Sequence, residues 1–189
     1  MTFFRKIRSA LWRLGNFSRS YAYILFFNVF QSGVKIDRSV FIDFGVRVSS
    51  TDGGEIVIAA NASIGRFSRI VAKAGKISIG ENVFIGDGCI LVSQSEIEIG
   101  SDTLLGEYVV IRDQDHSYER RPIRSAGFCM APVKIGVDCW IGAKATILRG
   151  SVVSDGAIVG AHALVRGYVP PYSLVGGSPA KVLKMLRGS

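Results

Sequence analysis

The stretch IGVDCWIGAKATILRGSVVSDGAIVGAHALV, residues 135–165, returns to an aliphatic residue at every sixth position. The fourth residue after most of these aliphatic positions is small, as at Cys139, Ala145, Ser151, Ala157 and Ala163. A period of six fits neither the period of about 3.6 of an α-helix nor the period of about two of a single strand. A short internal repeat of this kind indicates a parallel β-helix, in which successive coils stack along one axis.

The same period extends back to Ile36 and arranges the aliphatic positions in six groups of three. The groups are Ile36/Ile42/Val48, Ile58/Ile64/Ile70, Ile79/Ile85/Leu91, Ile99/Leu105/Ile111, Ile135/Ile141/Ile147 and Val153/Val159/Val165. Extra residues fall only between groups, so each group predicts one triangular coil and the chain predicts about six coils. We expect the aliphatic residues to form ladders inside the prism. The small residues would then fit near its corners, where a larger side chain would overpack.

The longest interruption of the repeat is residues 117–134, which directly follow His116, one of two histidines in the chain. A reactive side chain at the lip of a regular scaffold, beside a long loop, is a common way to position chemistry. Imidazole also suits the role of general base near neutral pH without special tuning. The pattern therefore makes His116 a candidate for catalysis, with an ordinary surface loop histidine as the alternative.

The length of the chain and the distribution of its charges limit the number of domains and the kinds of partner that we expect. The 189 residues, 48% of them hydrophobic, are enough for one well-buried domain. Residues 1–36 carry six basic residues and no acid, and residues 156–189 carry four basic residues and no acid. The body between them is therefore nearly neutral, although the net charge is +8. No basic stripe with interleaved aromatic residues runs along it, so we expect no nucleic acid partner.

The three cysteines, Cys89, Cys129 and Cys139, form no C-x-x-C pair. Cys89 and Cys139 occupy the small position of the repeat, so we interpret them as small buried hydrophobic residues in a reducing compartment. Two histidines and scattered thiols do not readily supply a zinc site, so we expect no metal.

The N-terminal residues 1–33 precede the repeat. Residues 1–20 place Phe3, Ile7, Leu11, Leu14 and Phe17 at helical spacing, which predicts an amphipathic helix. The apolar run at 21–30 is shorter than the roughly 20 residues that a spanning helix needs, and no clear A-x-A cleavage site follows it. One interpretation is a helix and a strand packed over one end of the domain. The alternative is a helix that rests on an anionic membrane surface, with the protein in the cytoplasm at the inner face of that membrane.

Three segments resemble the galactoside, maltose and polysaccharide O-acetyltransferase branch of the hexapeptide-repeat acyltransferases. They are DHSY at 115–118, PVKIGVDCWIGAKATILRGSVV at 132–153 and GAHALVRGYVPPYSLVGGSPAKVL at 160–183. The resemblance implies an all-β, left-handed parallel β-helix at residues 34–168, with the loop 117–134 protruding from it. It also implies a homotrimer that transfers the acetyl group of acetyl-CoA directly to a hydroxyl of a sugar or polysaccharide precursor. For residues 169–189 we expect a C-terminal segment with a short helix from Pro179 to about Arg187.

The resemblance assigns the general base to His116, and either Glu96 or Glu98, one coil earlier, is a candidate to orient its ring. For the acceptor we expect contacts from Gln94, Asp113, Asp115, Tyr118, Arg120 and Arg121. Gln94 stands where galactoside-type relatives carry an acid, which leaves the acceptor open. The arginines suit an anionic sugar chain, with packing on the next subunit as the alternative.

For acetyl-CoA, the resemblance implies six contacts: Trp140, Ala143, Ala161, Arg166, Lys181 and Lys184. Trp140 would lie beside the pantetheine channel, the backbone of Ala143 and Ala161 along its arm, and the cations near the phosphates. Alternatives on the same scaffold are N-acetylation of an amino sugar, acetylation of a drug, and a non-catalytic binding protein. The γ-class carbonic anhydrases share this scaffold but need three histidines for zinc, and this chain has two.

Overall fold

The computed structural model describes residues 20–29 and 31–186, which form a triangular prism of stacked coils behind a helix, α1, at residues 20–29. Each of six coils contributes one strand to each face. The strands of the first three coils are β1 Val34–Ile36, β2 Phe41–Ile42, β3 Arg47–Thr51, β4 Glu55–Ile58, β5 Ser63–Ile64, β6 Arg69–Lys73, β7 Lys76–Ile79, β8 Phe84–Ile85 and β9 Ile90–Ser93.

The fourth coil consists of β10 Glu96–Ile99, β11 Leu104–Leu105 and β12 Val110–Arg112, and two strands outside the prism follow, β13 Gln114–His116 and β14 Phe128–Met130. The remaining strands are β15 Val133–Ile135, β16 Trp140–Ile141, β17 Thr146–Ile147, β18 Val152–Val153, β19 Ile158–Val159, β20 Leu164–Val165, β21 Tyr168–Val169, β22 Ser173–Gly176 and β23 Lys181–Met185. A 3₁₀ turn lies at Ile123–Ser125.

The three faces are sheets whose neighbouring strands come from successive coils. The first face is β1-β4-β7-β10-β15-β18-β21, the second β2-β5-β8-β11-β16-β19-β22-β23 and the third β3-β6-β9-β12-β17-β20. All pairs within the coils are parallel, and among the strands of the described residues only β22–β23 and β13–β14 are antiparallel. The architecture is the predicted left-handed parallel β-helix of about six coils. The strand stack continues through β22, beyond the predicted boundary at residue 168.

The core consists of the aliphatic ladders that the six-residue period predicts. All eighteen aliphatic positions of the repeat are buried. On the second face, for example, Ile42, Ile64, Ile85, Leu105, Ile141 and Val159 occupy matching positions in consecutive strands. The predicted phase of the repeat is therefore confirmed on every coil.

The small positions of the repeat are also interior. Cys89 and Cys139 are buried free thiols, as predicted. Burial raises the pKa of the Cys89 thiol to about 11 and also raises that of Cys139. Both thiols are therefore neutral near pH 7 and serve as small apolar side chains.

The corner between the first and second faces has left-handed backbone in the second to sixth coils, where the sixth uses Gly156. Asn61, Asn82, Asp102 and Asp138 have φ between 54° and 60° there. Asparagine and aspartate tolerate this region better than other residues with a Cβ. Asn82 also donates a hydrogen bond to Asp102 of the next coil at 3.0 Å between Nδ2 and Oδ1.

Helix α1 closes the N-terminal end of the prism, and its side chains form hydrogen bonds to free backbone groups at the first strand of each face. Ser20 bonds to backbone groups at β2, Tyr23 to backbone groups at β3, and Asn28 to both backbone groups of Ile36 in β1. Each of these side chains donates one hydrogen bond and accepts one, with lengths of 2.8–3.2 Å. Burial raises the pKa of the Tyr23 hydroxyl, which therefore stays protonated as a donor.

The prediction of a strand within residues 21–30 is wrong, because residues 20–29 are helical. A helix pairs its own backbone groups while it crosses the three edges, whereas a strand laid across them would leave its N–H groups unpaired. Ile24 and Phe27, three residues apart, bury their side chains in the open end. The amphipathic helix predicted for residues 1–20 lies, apart from Ser20, outside the described residues. No helix in the described part of the chain is long and apolar enough to cross a membrane.

The predicted C-terminal helix from Pro179 is also wrong, because Lys181–Met185 form β23. The chain reverses at Gly177, whose φ of 94° is accessible to glycine, and β23 then pairs antiparallel with β22. This pairing satisfies the last edge of the second face, which outweighs the local helical propensity. Arg187 lies outside the described residues.

Adjacent valines in β18 test the phase of the repeat. Val153 is 1% exposed, whereas Val152 points outward, is 37% exposed and lies opposite Lys134. We expect Val153→Asp to lower the free energy of unfolding by more than about 4 kcal/mol, because it buries an unpaired charge. Val152→Asp should change it by less than about 0.5 kcal/mol. Urea unfolding of both variants gives the comparison, and similar losses in the two would contradict the ladder assignment.

Candidate active site

His116 lies on a hairpin that leaves the prism between the third and first faces. Strand β13 pairs antiparallel with β14, with His116 opposite Phe128. The predicted loop 117–134 is therefore more ordered than expected: residues 117–127 form the tip, and the following residues return as β14 and enter the fifth coil. At the base of the tip, Ser117 N–H donates to the Gly127 carbonyl at 2.9 Å.

The imidazole of His116 is exposed and is supported on one side by an aromatic ring. The centroids of the His116 and Phe128 rings are 4.4 Å apart, with an angle of 35° between the planes. Among the described residues, no side chain forms a hydrogen bond to the imidazole. Glu98 instead pairs with Lys134 at 3.2 Å, and Glu96 lies opposite Lys76. The register thus assigns both acids to the first face, and the ring of His116 is oriented by Phe128 rather than by a carboxylate.

Asp113 fixes the root of the hairpin. Its carboxylate accepts hydrogen bonds from Ser93 Oγ at 2.6 Å, Gln94 N at 2.9 Å and Ser95 N at 2.8 Å, all in the preceding coil. The residue is completely buried, so its side chain does not face an acceptor as we expected, but anchors the turn. Gln94 lies beside this root, with its side chain partly exposed.

Asp115 forms an ion pair with Arg149, a residue that the sequence analysis did not single out. Arg149 Nε donates to Asp115 Oδ2 at 2.7 Å, and this bond raises the pKa of the guanidinium. The contact between Asp115 and Arg149 could have been predicted from the repeat. Ile111 lies opposite Ile147, so the corners that follow these two residues are adjacent. The pair ties the strand that carries His116 to the fifth coil.

The tip of the hairpin exposes the other predicted acceptor residues. Tyr118, Arg120 and Arg121 are all solvent-exposed, and Tyr118 is 74% exposed. In the part of the chain that the structure describes, neither arginine forms an ion pair. Their side chains are therefore accessible to a ligand or to a neighbouring molecule.

Three of the six predicted cofactor residues, Trp140, Lys181 and Lys184, lie on the second face. Trp140 is exposed on β16, in an outward row that continues through Ile158 and Leu174 to Lys184 of β23. Three strand spacings separate Trp140 from Lys184, which is about 14 Å. Lys181 lies opposite Gly176 in the same pair of end strands. Trp140 and Lys184 thus lie in the same outward row of the second face, which ends at the lysines of β23.

Ala143 and Ala161 occupy equivalent turns at the corner between the second and third faces. The turns stack closely: a Cβ added to Gly142 would lie 2.5 Å from Ala161 N. His162 N–H donates to the Ala143 carbonyl at 3.0 Å. Arg166 is exposed just after β20, on the third face.

The structure does not bring these two groups of residues together within one chain. The hairpin with His116 leaves one corner of the third face, and Ala143 and Ala161 lie at the other corner. The chain turns at Ala143 and Lys144 and then crosses between the corners through β17 to Arg149, a distance of roughly 15 Å. A ligand bound along Trp140 is therefore separated from His116 of the same chain by a full face. Among the described residues, no group of three or more histidine, cysteine or acidic side chains could hold a metal ion.

Comparisons with known proteins show what the chain is similar to. It is 36% identical over 148 residues to the probable acetyltransferase Rv3034c of Mycobacterium tuberculosis, covering 77% of this chain and 49% of that protein. It is 32% identical over 119 residues to the putative lipopolysaccharide biosynthesis O-acetyl transferase WbbJ of Escherichia coli, covering 58% and 61%. The chain thus spans less than two thirds of either relative. No protein-family model matches it.

A solved structure with the same fold is AntD, an N-acyltransferase from Bacillus cereus, seen in complex with dTDP and coenzyme A. The TM-score is 0.70 at 21% identity, covering 86% of this chain and 88% of that one. The fold, the six-residue repeat and the acetyltransferase relatives agree with one another. They are consistent with the hexapeptide-repeat acyltransferase superfamily.

Proposed function

We propose that the protein is an acetyl-CoA-dependent O-acetyltransferase that acts on a sugar hydroxyl, with His116 as general base. The observation that carries the proposal is the exposed imidazole of His116, held against Phe128 on a hairpin that Asp113 and the Asp115–Arg149 pair fix to the prism. A base must be both accessible and held in a defined orientation. The similarity to WbbJ, described as an O-acetyl transferase of lipopolysaccharide biosynthesis, supports a carbohydrate acceptor.

The proposed reaction is a direct transfer. His116 takes the proton of the acceptor hydroxyl as its oxygen attacks the thioester carbonyl of acetyl-CoA. The tetrahedral intermediate collapses by breaking the C–S bond, and the imidazolium returns the proton to the departing thiolate. The products are the acetyl ester and free coenzyme A. Cys89 and Cys139 are buried with raised pKa values, which argues against an acyl-cysteine route through either of them.

The proposed active site is shared between two copies of the chain in a homotrimer. The separation of His116 from Trp140 by the third face supports this arrangement, because the hairpin of one prism can reach the second face of its neighbour. The second face also offers an apolar surface, with Phe84, Leu104 and Trp140 exposed in one row. Three copies around a threefold axis use such a surface in a closed assembly.

The proposed acceptor class is an anionic sugar chain. Arg120 and Arg121 can fork onto carboxylates while Tyr118 packs against a ring face. Acetylation of a neutral sugar, an amino sugar or a drug differs only in what the hairpin tip contacts. Coenzyme A release measured with free sugars, nucleotide sugars, amino sugars and uronic acid oligosaccharides separates these classes.

Replacing the imidazole tests the proposed base. We expect His116→Ala to lower kcat by about 10²–10⁴-fold, because proton transfer loses its acceptor. Binding of coenzyme A, the oligomer mass and the melting temperature should stay unchanged, since His116 is exposed and not part of the core. Coenzyme A release in acceptor-dependent steady-state kinetics is the measurement. Activity within about threefold of the wild type would contradict the assignment.

Removing the arginines at the tip tests the acceptor class. We expect the double variant Arg120→Ala/Arg121→Ala to raise the KM for a uronic acid oligosaccharide by about tenfold or more, because two charge-assisted contacts are lost. The KM for acetyl-CoA should stay within about twofold. The matched control is Arg47→Ala/Arg69→Ala, two exposed arginines that lie opposite each other on the third face. If the tip variant dissociates the oligomer and leaves both KM values unchanged, the arginines pack on a neighbouring subunit instead.

A further inference from the structure

The capping helix α1 has two apolar faces, and the prism uses one of them. Ser20, Ile24 and Phe27 are buried against the first coil. Tyr21, Leu25 and Val29 point away from the prism and are 49%, 55% and 62% exposed. They are spaced by four residues, so they share one side of the helix. The ten residues of α1 contain no charged side chain that would explain this surface as ordinary solvent exposure.

The sequence before α1 continues the same apolar spacing. Steps of three and four residues lead through Phe3, Ile7, Leu11, Leu14 and Phe17 to Tyr21. In sequence, this stripe has the same helical phase as Tyr21, Leu25 and Val29. The same segment carries five cations and no acid: Arg5, Lys6, Arg8, Arg13 and Arg19. The first acid in the chain is Asp37, in the first coil.

We propose that the outer face of α1, together with the basic residues before it, binds an anionic lipid surface. An apolar stripe flanked by cations inserts its apolar side chains at the headgroup boundary, and the cations pair with lipid phosphates. This inference stands on the geometry of α1 and on the charge of residues 1–19. It is independent of the proposed acetyl transfer.

Charge favours lipid over a second copy of this chain as the occupant. Two copies joined through α1 would bring ten cations together with no acid from either N-terminal segment to offset them. Like charges at this density repel one another, whereas each cation is attracted to the surface of an anionic membrane. The uncharged helix and its basic neighbour therefore complement a phospholipid surface of negative charge.

Docking through α1 sets the orientation of the prism. The helix crosses the end of the first coil, so the coils would rise from the membrane one above another. The hairpin with His116 leaves the fourth coil, three coil spacings above the first, which is about 14 Å. The hairpin would face an acceptor that extends from the membrane, rather than one buried within it.

Vesicle sedimentation of the full-length protein tests the proposal. The probes are vesicles of phosphatidylcholine alone and of phosphatidylcholine with 30% phosphatidylglycerol, a composition chosen for the experiment at about the anionic content to which polybasic segments respond. We expect the protein to bind the anionic vesicles at least about tenfold more tightly, and to be released by raised salt.

Matched variants assign the binding to the helix face. Leu25→Gln/Val29→Gln keeps the helical propensity and should weaken binding to anionic vesicles by about tenfold or more, with the melting temperature unchanged. Leu183→Gln, at an exposed leucine of β23 at the other end of the prism, should leave binding unchanged. The quadruple variant Arg5→Gln/Lys6→Gln/Arg8→Gln/Arg13→Gln should remove the preference for phosphatidylglycerol.

Three outcomes would overturn the proposal. The first is an absence of sedimentation with anionic vesicles, as expected if residues 1–19 cover the helix. The second is equal binding by the wild type and Leu25→Gln/Val29→Gln. The third is a decrease in oligomer mass caused by that variant in the absence of lipid, which would identify α1 as a contact between copies.

Discussion

The structure depends on the vertical alignment of one aliphatic side chain per face per coil. Each such residue contacts its equivalents above and below, and the backbone pairing of parallel strands holds the alignment. Because a shift by one residue would turn an entire strand inside out, the spacing within a coil is fixed. Additional residues are accommodated only where a corner can open outward. The hairpin that carries His116 emerges at such a corner, between the fourth and fifth coils. The regularity of the core therefore determines where an irregular segment can be attached.

A stack of parallel strands leaves three open edges at each end, and this chain closes its ends in different ways. At the N-terminal end, Ser20, Tyr23 and Asn28 each supply both a donor and an acceptor to one face. At the C-terminal end, β23 folds back on β22 and satisfies the last strand of the second face. Exposed strand edges would otherwise template aggregation. The N-terminal closure also exposes the outer face of α1, and the C-terminal closure exposes Lys181 and Lys184 of β23.

The sequence predicted the coils and their phase because the repeat is local and is imposed eighteen times by the same packing rule. It failed where tertiary context outweighed local preference. Lys181–Met185 follow a proline and contain good helix formers, yet the free edge of β22 makes them a strand. The apolar run 21–30 resembles a buried strand, because length and composition do not distinguish a short helix that plugs an open end. The sequence predicted that Asp113 is an accessible acid, because nothing local indicates its hydrogen bonds to Ser93, Gln94 and Ser95 of the preceding coil.

In the candidate site, too, the repeat determines some residues, whereas the hairpin residues lie outside it. Gly142 follows from the close stacking of the coils, because a Cβ there would lie 2.5 Å from Ala161 N. The next position, that of Ala143 and Ala161, is free to vary and carries Asp87 and Glu107 in earlier coils. The hairpin obeys no repeat, so its residues can vary without disturbing a ladder. Asp113 and the Asp115–Arg149 pair hold the base of the hairpin to the coils below and above. Sequence variation is therefore limited to the tip. A chain of this architecture can therefore change what the tip contacts while it keeps the position of His116. Under the proposed function, acceptor specificity would then depend on the eleven residues 117–127 and on the surface that a neighbouring chain of the proposed trimer would place opposite them.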